Sequence, residues 1–265
     1  NLWHYFGNIP FYLENLSIPY TAPQLKADEV YNNLITELEA VIDSKVLPMR
    51  WDDKNSGRMS QAMCYMMYAE MVMYQNDKTR YPKALQYMQE IINDKSEYGL
   101  MDNFADIWKE SGEWCKESIW EINYEDGNNE RGWSSPLAIG GTILPTLISP
   151  NAWPGGDGWG FLPVRQETYD LYSDNDTRRA ATCWDCRGMG TDGDADDTHY
   201  HKRYQDTGLW LAKYRPFTEN NADAGFDANL NYNNNYRFYR VAEAYLNAAE
   251  LLLETGGDAN LAKDY

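Results

Sequence analysis

The sequence predicts a mainly α-helical protein interrupted by one long irregular region. Three observations carry that prediction. Helical stripes, with apolar residues at the i, i+3, i+4, i+7 spacing, recur between Lys26 and Ile92 and again from Asn235 to Gly256. Two of these stretches echo each other as helix–turn–helix pairs of tetratricopeptide type. Between them, from Gly127 to Asn235, helical periodicity fails, and Gly, Pro, Asn and Asp punctuate the chain. The expected organisation is one domain over 1–265: a helical scaffold at 1–126, an irregular ligand-binding region at 127–235 and a helical-repeat pair at 236–265.

Composition bounds the function. With 43% hydrophobic and 24% charged residues over 265 positions, the chain can bury a large core. The formal net charge of −18 repels phosphate backbones, which excludes nucleic acid as a partner. No apolar run reaches membrane-span length. The aromatic share is high, with 10 Trp and 21 Tyr, and several of the tryptophans lie in the irregular region.

In chain order, Leu2 to Phe6 reads as the tail of a helix stopped by Gly7. Lys26 to Ser44 carries a stripe of Ala27, Val30, Tyr31, Leu34, Ile35, Leu38, Val41 and Ile42, with Glu37 and Glu39 on a solvated face. Ser60 is the N-cap of a helix to Gln75 that is apolar nearly all round and so is buried among others. Its methionines read as core filling. Pro82 suits the first turn of the next helix, whose inner stripe is Ala84, Leu85, Met88, Ile91 and Ile92. Ile119 to Tyr124 reads as a short strand, and Leu162 to Tyr172 holds a short helix. The last long helix is expected from Asn235 to Gly256, with Phe238, Val241, Ala242, Tyr245, Leu246, Ala249, Leu252 and Leu253 on its buried face. Ala242, Ala248 and Ala249 admit a close neighbour, and Gly256 and Gly257 supply the stop. The echo of this pair with the earlier one breaks off at Tyr265, inside its second helix. With a long insertion between them, the two pairs need not stack as one solenoid.

These segments resemble, in order, those of the SusD/RagB family. Arg240, Ala242, Glu243, Leu246, Ala249, Glu250 and Gly256 match its R-x-A-E-x-x-L-x-x-A-E helix. Gly57, Arg58 and Ala62, then Tyr81, Ala84, Tyr98, Leu100 and Phe104, then Glu117, Ile119, Glu121, Ile122 and Tyr124 match its earlier run. Asp176 and Arg178 resemble its D-x-R element. The order of these motifs over the chain is specific, although no single one is. The resemblance implies a SusD-like α-helical fold and a non-catalytic lipoprotein on the outside of a bacterial outer membrane. It implies polysaccharide or oligosaccharide as ligand, in some members peptide, and no cofactor. It also implies a SusC-like TonB-dependent transporter as partner, with the membrane reached only through an N-terminal lipid anchor. On this reading the chain is a central portion, roughly half, of a full family member.

The irregular region is where binding is expected, because a structureless stretch of such length is otherwise rare inside a compact domain. Sugar rings offer apolar C–H faces to aromatic planes, while Asn, Asp and Arg bond their hydroxyls. Trp153 and Trp159 fall on a Gly-rich loop beside Asn151 and Asp157. Together with Trp184, and with Trp133 as an outer member, they form the expected ligand platform. The competing reading is that each tryptophan staples a loop to the core. Cys183 and Cys186, followed by His199 and His201, admit zinc, a pair of unpaired thiols or a local disulfide, which is the simplest in an exported protein. Asp192, Asp194, Asp196 and Asp197 read as a solvated acidic turn, since Arg203 stands where a calcium loop needs Glu. No nucleophile elbow, P-loop or H-E-x-x-H is present, so no catalytic residue and no metal site is assigned. An acidic glycoside hydrolase and a protein-binding helical-repeat adaptor stand as alternatives.

Overall fold

The structure, a computed structural model, describes residues 2–18, 21–127, 132–133, 140–152, 158–191, 199–222, 224 and 227–265. Its first elements are α1 (Leu2–Phe6), β1 (Ile9–Pro10), β2 (Gln24–Leu25), α2 (Ala27–Ser44), α3 (Gln61–Gln75), α4 (Tyr81–Asn93) and β3 (Ser118–Ile122). Short elements follow: α5 (Leu144–Ile148), α6 (Gln166–Asp170), α7 (Arg178–Thr182), β4 (Cys183–Asp185), β5 (Gly190–Thr191), β6 (His199–Tyr200) and β7 (Leu209–Leu211). The chain ends in β8 (Tyr236–Arg240), α8 (Val241–Glu254) and α9 (Ala259–Asp264). Two compact units form. One takes residues 1–100, 116–120 and 238–265, the other 101–115 and 121–237.

The first unit is a row of helices. α2 packs on α3, α3 on α4, α4 on α8 and α8 on α9. The two helical pairs therefore do stack in one array, although the whole irregular region separates them in sequence. Ser60 caps α3 by accepting the Met63 N–H at 3.3 Å. From Gln61 to Met66 every residue of α3 is buried, as a helix placed between two others requires. The Tyr65 and Tyr87 rings stack at 4.2 Å, and their neighbour Tyr68 meets Tyr87 edge-on. The phenol ends of this cluster are satisfied by acids: Tyr65 donates to Glu90 at 2.5 Å and Tyr68 to Glu39 at 3.0 Å. Glu39 also accepts from Arg80 at 2.8 Å. It is therefore part of a half-buried network and not of a solvated face; Glu37 is exposed.

The last helix differs from expectation in two ways. Residues 236–240 form a strand paired with β3, and the helix begins only at Val241. Tyr-Arg-Phe-Tyr-Arg alternates: Arg237 and Tyr239 are buried while Tyr236 is exposed, which is the period of a strand. The buried face of α8 is also turned. Val241, Ala244, Ala248, Leu251 and Leu252 are buried, whereas Leu246 is 69% and Leu253 55% exposed. Ala244 and Ala248, one turn apart, are the small residues at the inner face. At the end of α8, Gly256 N–H reaches the Leu253 carbonyl and Gly257 N–H the Leu252 carbonyl, with Gly256 at φ 74. This is the glycine stop read from the sequence.

The second unit is built on short elements and buried polar anchors. One apolar cluster gathers Ile107, Trp108, Ile148 and Tyr214; another gathers Cys186, Tyr200 and Trp210. β4 and β7 pair antiparallel with Trp184 opposite Trp210. Cys183 and Cys186 are free and buried, so the local disulfide does not form. Burial in the apolar cluster pushes the Cys186 thiol up to about 12. Among the described residues no three ligating side chains gather at a metal-sized site. Arg237 is buried and donates to the carbonyls of Asn235 at 2.6 Å and Lys109 at 2.8 Å, with Glu113 at 3.5 Å and Glu121 at 3.6 Å. Asn235 in turn donates its backbone N–H to Glu113 and its side-chain amide to Glu121.

Two outcomes follow from this packing. Leu251→Ala should lower unfolding free energy by about 2–5 kcal/mol in denaturant titration, and Leu246→Ala by no more than about 0.5 kcal/mol; the reverse ranking would restore the face read from the sequence. Burial pushes Glu113 up to about 7, against the pull of the Asn235 N–H and Arg237. The folded chain then holds a proton that the unfolded chain releases above about 4.5, so stability falls as pH rises from about 4.5 to about 7. Burial pushes Glu243 up to about 7 as well. Glu113→Gln should flatten the decline seen by urea unfolding across that window, and adding Glu243→Gln should flatten it further; an unchanged slope in both would refute the assignment.

Candidate functional site

The site is positioned by one returning segment. Thr142 and Tyr232 exchange backbone hydrogen bonds of 2.7 and 3.1 Å, and α5 follows with Pro145 in its first turn. Gly141 lies so close to Asn231 that an added Cβ would sit 2.4 Å from a backbone atom. Residues 159–161 then run back along α5. Trp159 N–H donates to the Thr146 carbonyl, Gly160 N–H to Ser149 and Phe161 N–H to Leu147, at 2.8 to 3.1 Å. Gly158 makes this return possible, since a Cβ there would lie 2.3 Å from the Pro150 carbonyl oxygen. Three ladder-like bonds thus fix where the Trp159 ring projects.

A second strap holds the partner ring. Asp227, at φ 44, accepts the Trp133 backbone N–H on Oδ2 at 3.1 Å. Its carbonyl accepts from Leu230 N–H and the Asn231 side-chain amide. Thr146 Oγ1 donates to the Asn229 carbonyl at 2.6 Å, tying this turn to α5. The result is a stack of two indoles, Trp133 on Trp159, with centroids 5.7 Å apart and planes 21° from parallel. Phe161 meets Trp159 edge-on at 5.8 Å. Beside the stack is an open cavity of about 260 Å³ lined by both indoles, Asp227, Asn229 and Leu230. Trp133 is 67% exposed, so its ring is available to a ligand.

Of the residues singled out from the sequence, Trp133 and Trp159 are brought together. Trp184 is not with them: it lines a separate cavity of about 340 Å³ with Tyr169, Arg179 and Arg215. Asn151 donates its side-chain amide to the Gly158 carbonyl at 2.8 Å and accepts the His201 N–H on its own carbonyl, so it braces the loop that carries Trp159. Trp153, Asp157 and the Asp192–Asp197 turn lie outside the described residues. Trp210 has no exposed surface and belongs to the core. Sequence reading missed Asp227 and Asn229, which lie far from either tryptophan in the chain. The available signal was the Asp/Asn-rich run from Asp227 to Asn235, residue types that tolerate left-handed backbone and make local turns.

Comparison with known proteins gives a consistent picture. The model of the SusD family matches residues 189–265. The chain is similar to the surface glycan-binding protein A of Bacteroides uniformis, at 56% identity and a TM-score of 0.83, covering 99% of this chain and 53% of that one. It is similar to the surface glycan-binding protein A of Bacteroides thetaiotaomicron in complex with laminarihexaose, at 49% identity and a TM-score of 0.89, over 99% of this chain and 56% of that one. A SusD-like protein of Formosa agariphila is 23% identical over 98% of this chain and 50% of its own length. The chain thus spans about half the length of the relatives it matches.

Proposed function

The chain belongs to the SusD family, and we propose on that premise that it binds a laminarin-type β-glucan without transforming it. The observation that carries the reading is the exposed indole stack beside Asp227 and Asn229. The relative that is 49% identical holds laminarihexaose, which supports a glucose polymer as the ligand. The exposed face of an indole takes the C–H face of one pyranose, worth on the order of 1 kcal/mol beyond burial by analogy with aromatic pairs. Asp227 Oδ1 and the Asn229 amide supply an acceptor and a donor for hydroxyl groups, each worth about 0.5–1.5 kcal/mol net. Contacts of that number give micromolar to millimolar affinity, tight enough to capture a polymer and weak enough to release it.

Catalysis is not part of this reading. Glycoside hydrolysis by the usual route needs two facing carboxyl groups. Among the described residues lining the cavity, Asp227 is the one carboxylate. In the whole protein the captured glycan passes to a TonB-dependent transporter, and a lipid anchor holds the binding protein at the outer-membrane surface. Both steps come from the family and not from this site.

Calorimetric titration with laminarihexaose tests the platform. Trp133→Ala and Trp159→Ala should each weaken binding by about tenfold, the equivalent of ~1.4 kcal/mol. Trp133→Ala should leave the melting temperature nearly unchanged, whereas Trp210→Ala in the core should cost about 3–5 kcal/mol of stability. Unaltered affinity in both platform variants would place the ligand elsewhere. Incubation with laminarihexaose should release no new reducing ends; release that Asp227→Asn abolishes would make the protein an enzyme.

A further inference from the structure

Trp184 lines a cavity in the second unit with Tyr169, Arg179 and Arg215. Its ring carries Arg215, whose guanidinium carbon lies 4.6 Å from the Trp184 centroid and 4.9 Å from that of Phe217. Two aromatic rings fix this guanidinium, yet no acid among the described residues neutralises it. Its Nε is buried without a hydrogen-bond partner, and no ion pair to Arg215 forms among the described residues. That is unusual in a chain with 41 acidic residues and a net charge of −18. The neighbouring arginines differ. Arg178 is bound to Asp176 at 2.6 Å and Arg187 to Asp185 at 2.6 Å.

Arg179 shares the cavity with Arg215. Its acid partner among the described residues, Asp174 at 3.1 Å, is 96% exposed and so is largely screened by water. Arg179 also lies 5.0 Å over the Tyr169 ring. Asp185 lines the same cavity, but both of its oxygens are engaged by Arg187. The local field is therefore positive inside an acidic protein. Ala180 and Ala212 leave space beside the two guanidinium groups, and about 340 Å³ lies at the small end of ligand sites. That is room for one sugar residue.

We propose that this cavity is a second subsite, selective for a carboxylate, and that it takes a uronic acid residue. A planar carboxylate matches the fork of a guanidinium and forms charge-assisted hydrogen bonds with it. A bound carboxylate supplies the acid that Arg215 lacks among the described residues. A neutral glucose offers the two guanidinium groups only uncharged hydroxyl acceptors and leaves the Arg215 charge uncompensated. That the carboxylate arrives on a sugar rests on the proposed glycan-binding function; the preference for the anion does not.

Ligand-observed NMR titration of the full-length protein with glucuronic acid tests this. Glucose and the methyl ester of glucuronic acid are the neutral controls. Glucuronic acid should bind at least about tenfold more tightly than either control, and added salt should weaken it. Arg215→Gln should abolish the preference, and so should Arg179→Gln, whose partly exposed side chain makes it the safer variant for folding. Laminarihexaose affinity should be unchanged in both. Equal binding of the ester and the acid, or a preference that survives both substitutions, would overturn the subsite. If glucuronic acid fails while laminarihexaose binds, only the subsite falls; if laminarihexaose fails while glucuronic acid binds, only the neutral platform falls.

Discussion

The helical unit depends on the close approach of α8 to α4. Residues 94–240 must leave the array and return before that contact can form. Closing a loop of this order costs about 4 kcal/mol in chain entropy alone. The contact offsets that cost because its inner face is small and apolar: Ala244 and Ala248 on α8, and Ala84 on α4, have no exposed surface. Alanines at one-turn spacing let the backbones approach, and Leu251 on the same helix is fully buried. Once α8 is seated, the Arg240 guanidinium meets Glu117 at 2.6 Å and the Val241 N–H meets the Glu117 carbonyl. The strand that precedes α8 is thereby aligned with β3.

The irregular unit solves a different problem. It has few long elements, so its backbone groups cannot all be satisfied by helix or sheet ladders. Side chains do much of that work. Arg237 accounts for two carbonyls, Asn235 and Glu121 for two N–H groups, and Thr146 for the carbonyl of Asn229. A buried arginine is tolerable only with such partners, because an unpaired buried charge is strongly destabilising. The same economy of short bonds places the indoles. Trp159 is held by its own N–H on α5, and Trp133 by its N–H on Asp227. Neither ring is needed for those bonds, so both are left to line the cavity.

Tryptophan has three roles within this one unit. Trp210 fills the core. Trp184 carries an arginine on its face. Trp133 and Trp159 stack on one another at the edge of an open cavity. The residue is the same; the neighbours decide. An indole packed with Cys186 and Tyr200 is covered, one under a guanidinium becomes an electrostatic support, and one that follows a glycine-lined turn is left at the cavity edge.

The sequence by itself determined the helices. The stripe of α2, the Ser60 cap of α3, Pro82 at the start of α4 and the Gly256 stop of α8 are local signals, written within a few residues of where they act. It also located the irregular region and singled out Trp133 and Trp159, which the fold stacks together. Tertiary structure decided what those signals leave open. Whether residues 236–240 are strand or helix depended on β3, which lies more than a hundred positions away in the chain. Which side of α8 is buried depended on α4, because adjacent residues on a helix present neighbouring faces and a stripe of Val, Ala and Leu can be read one position either way. Glu39 looked like a surface acid until Tyr68 and Arg80 were placed beside it. Asp227 came beside the two indoles through a left-handed turn, and the fold laid Arg215 on two rings with no acid partner among the described residues. Periodicity and capping are short-range properties of a chain; partners are long-range ones, and only the folded structure brings them together.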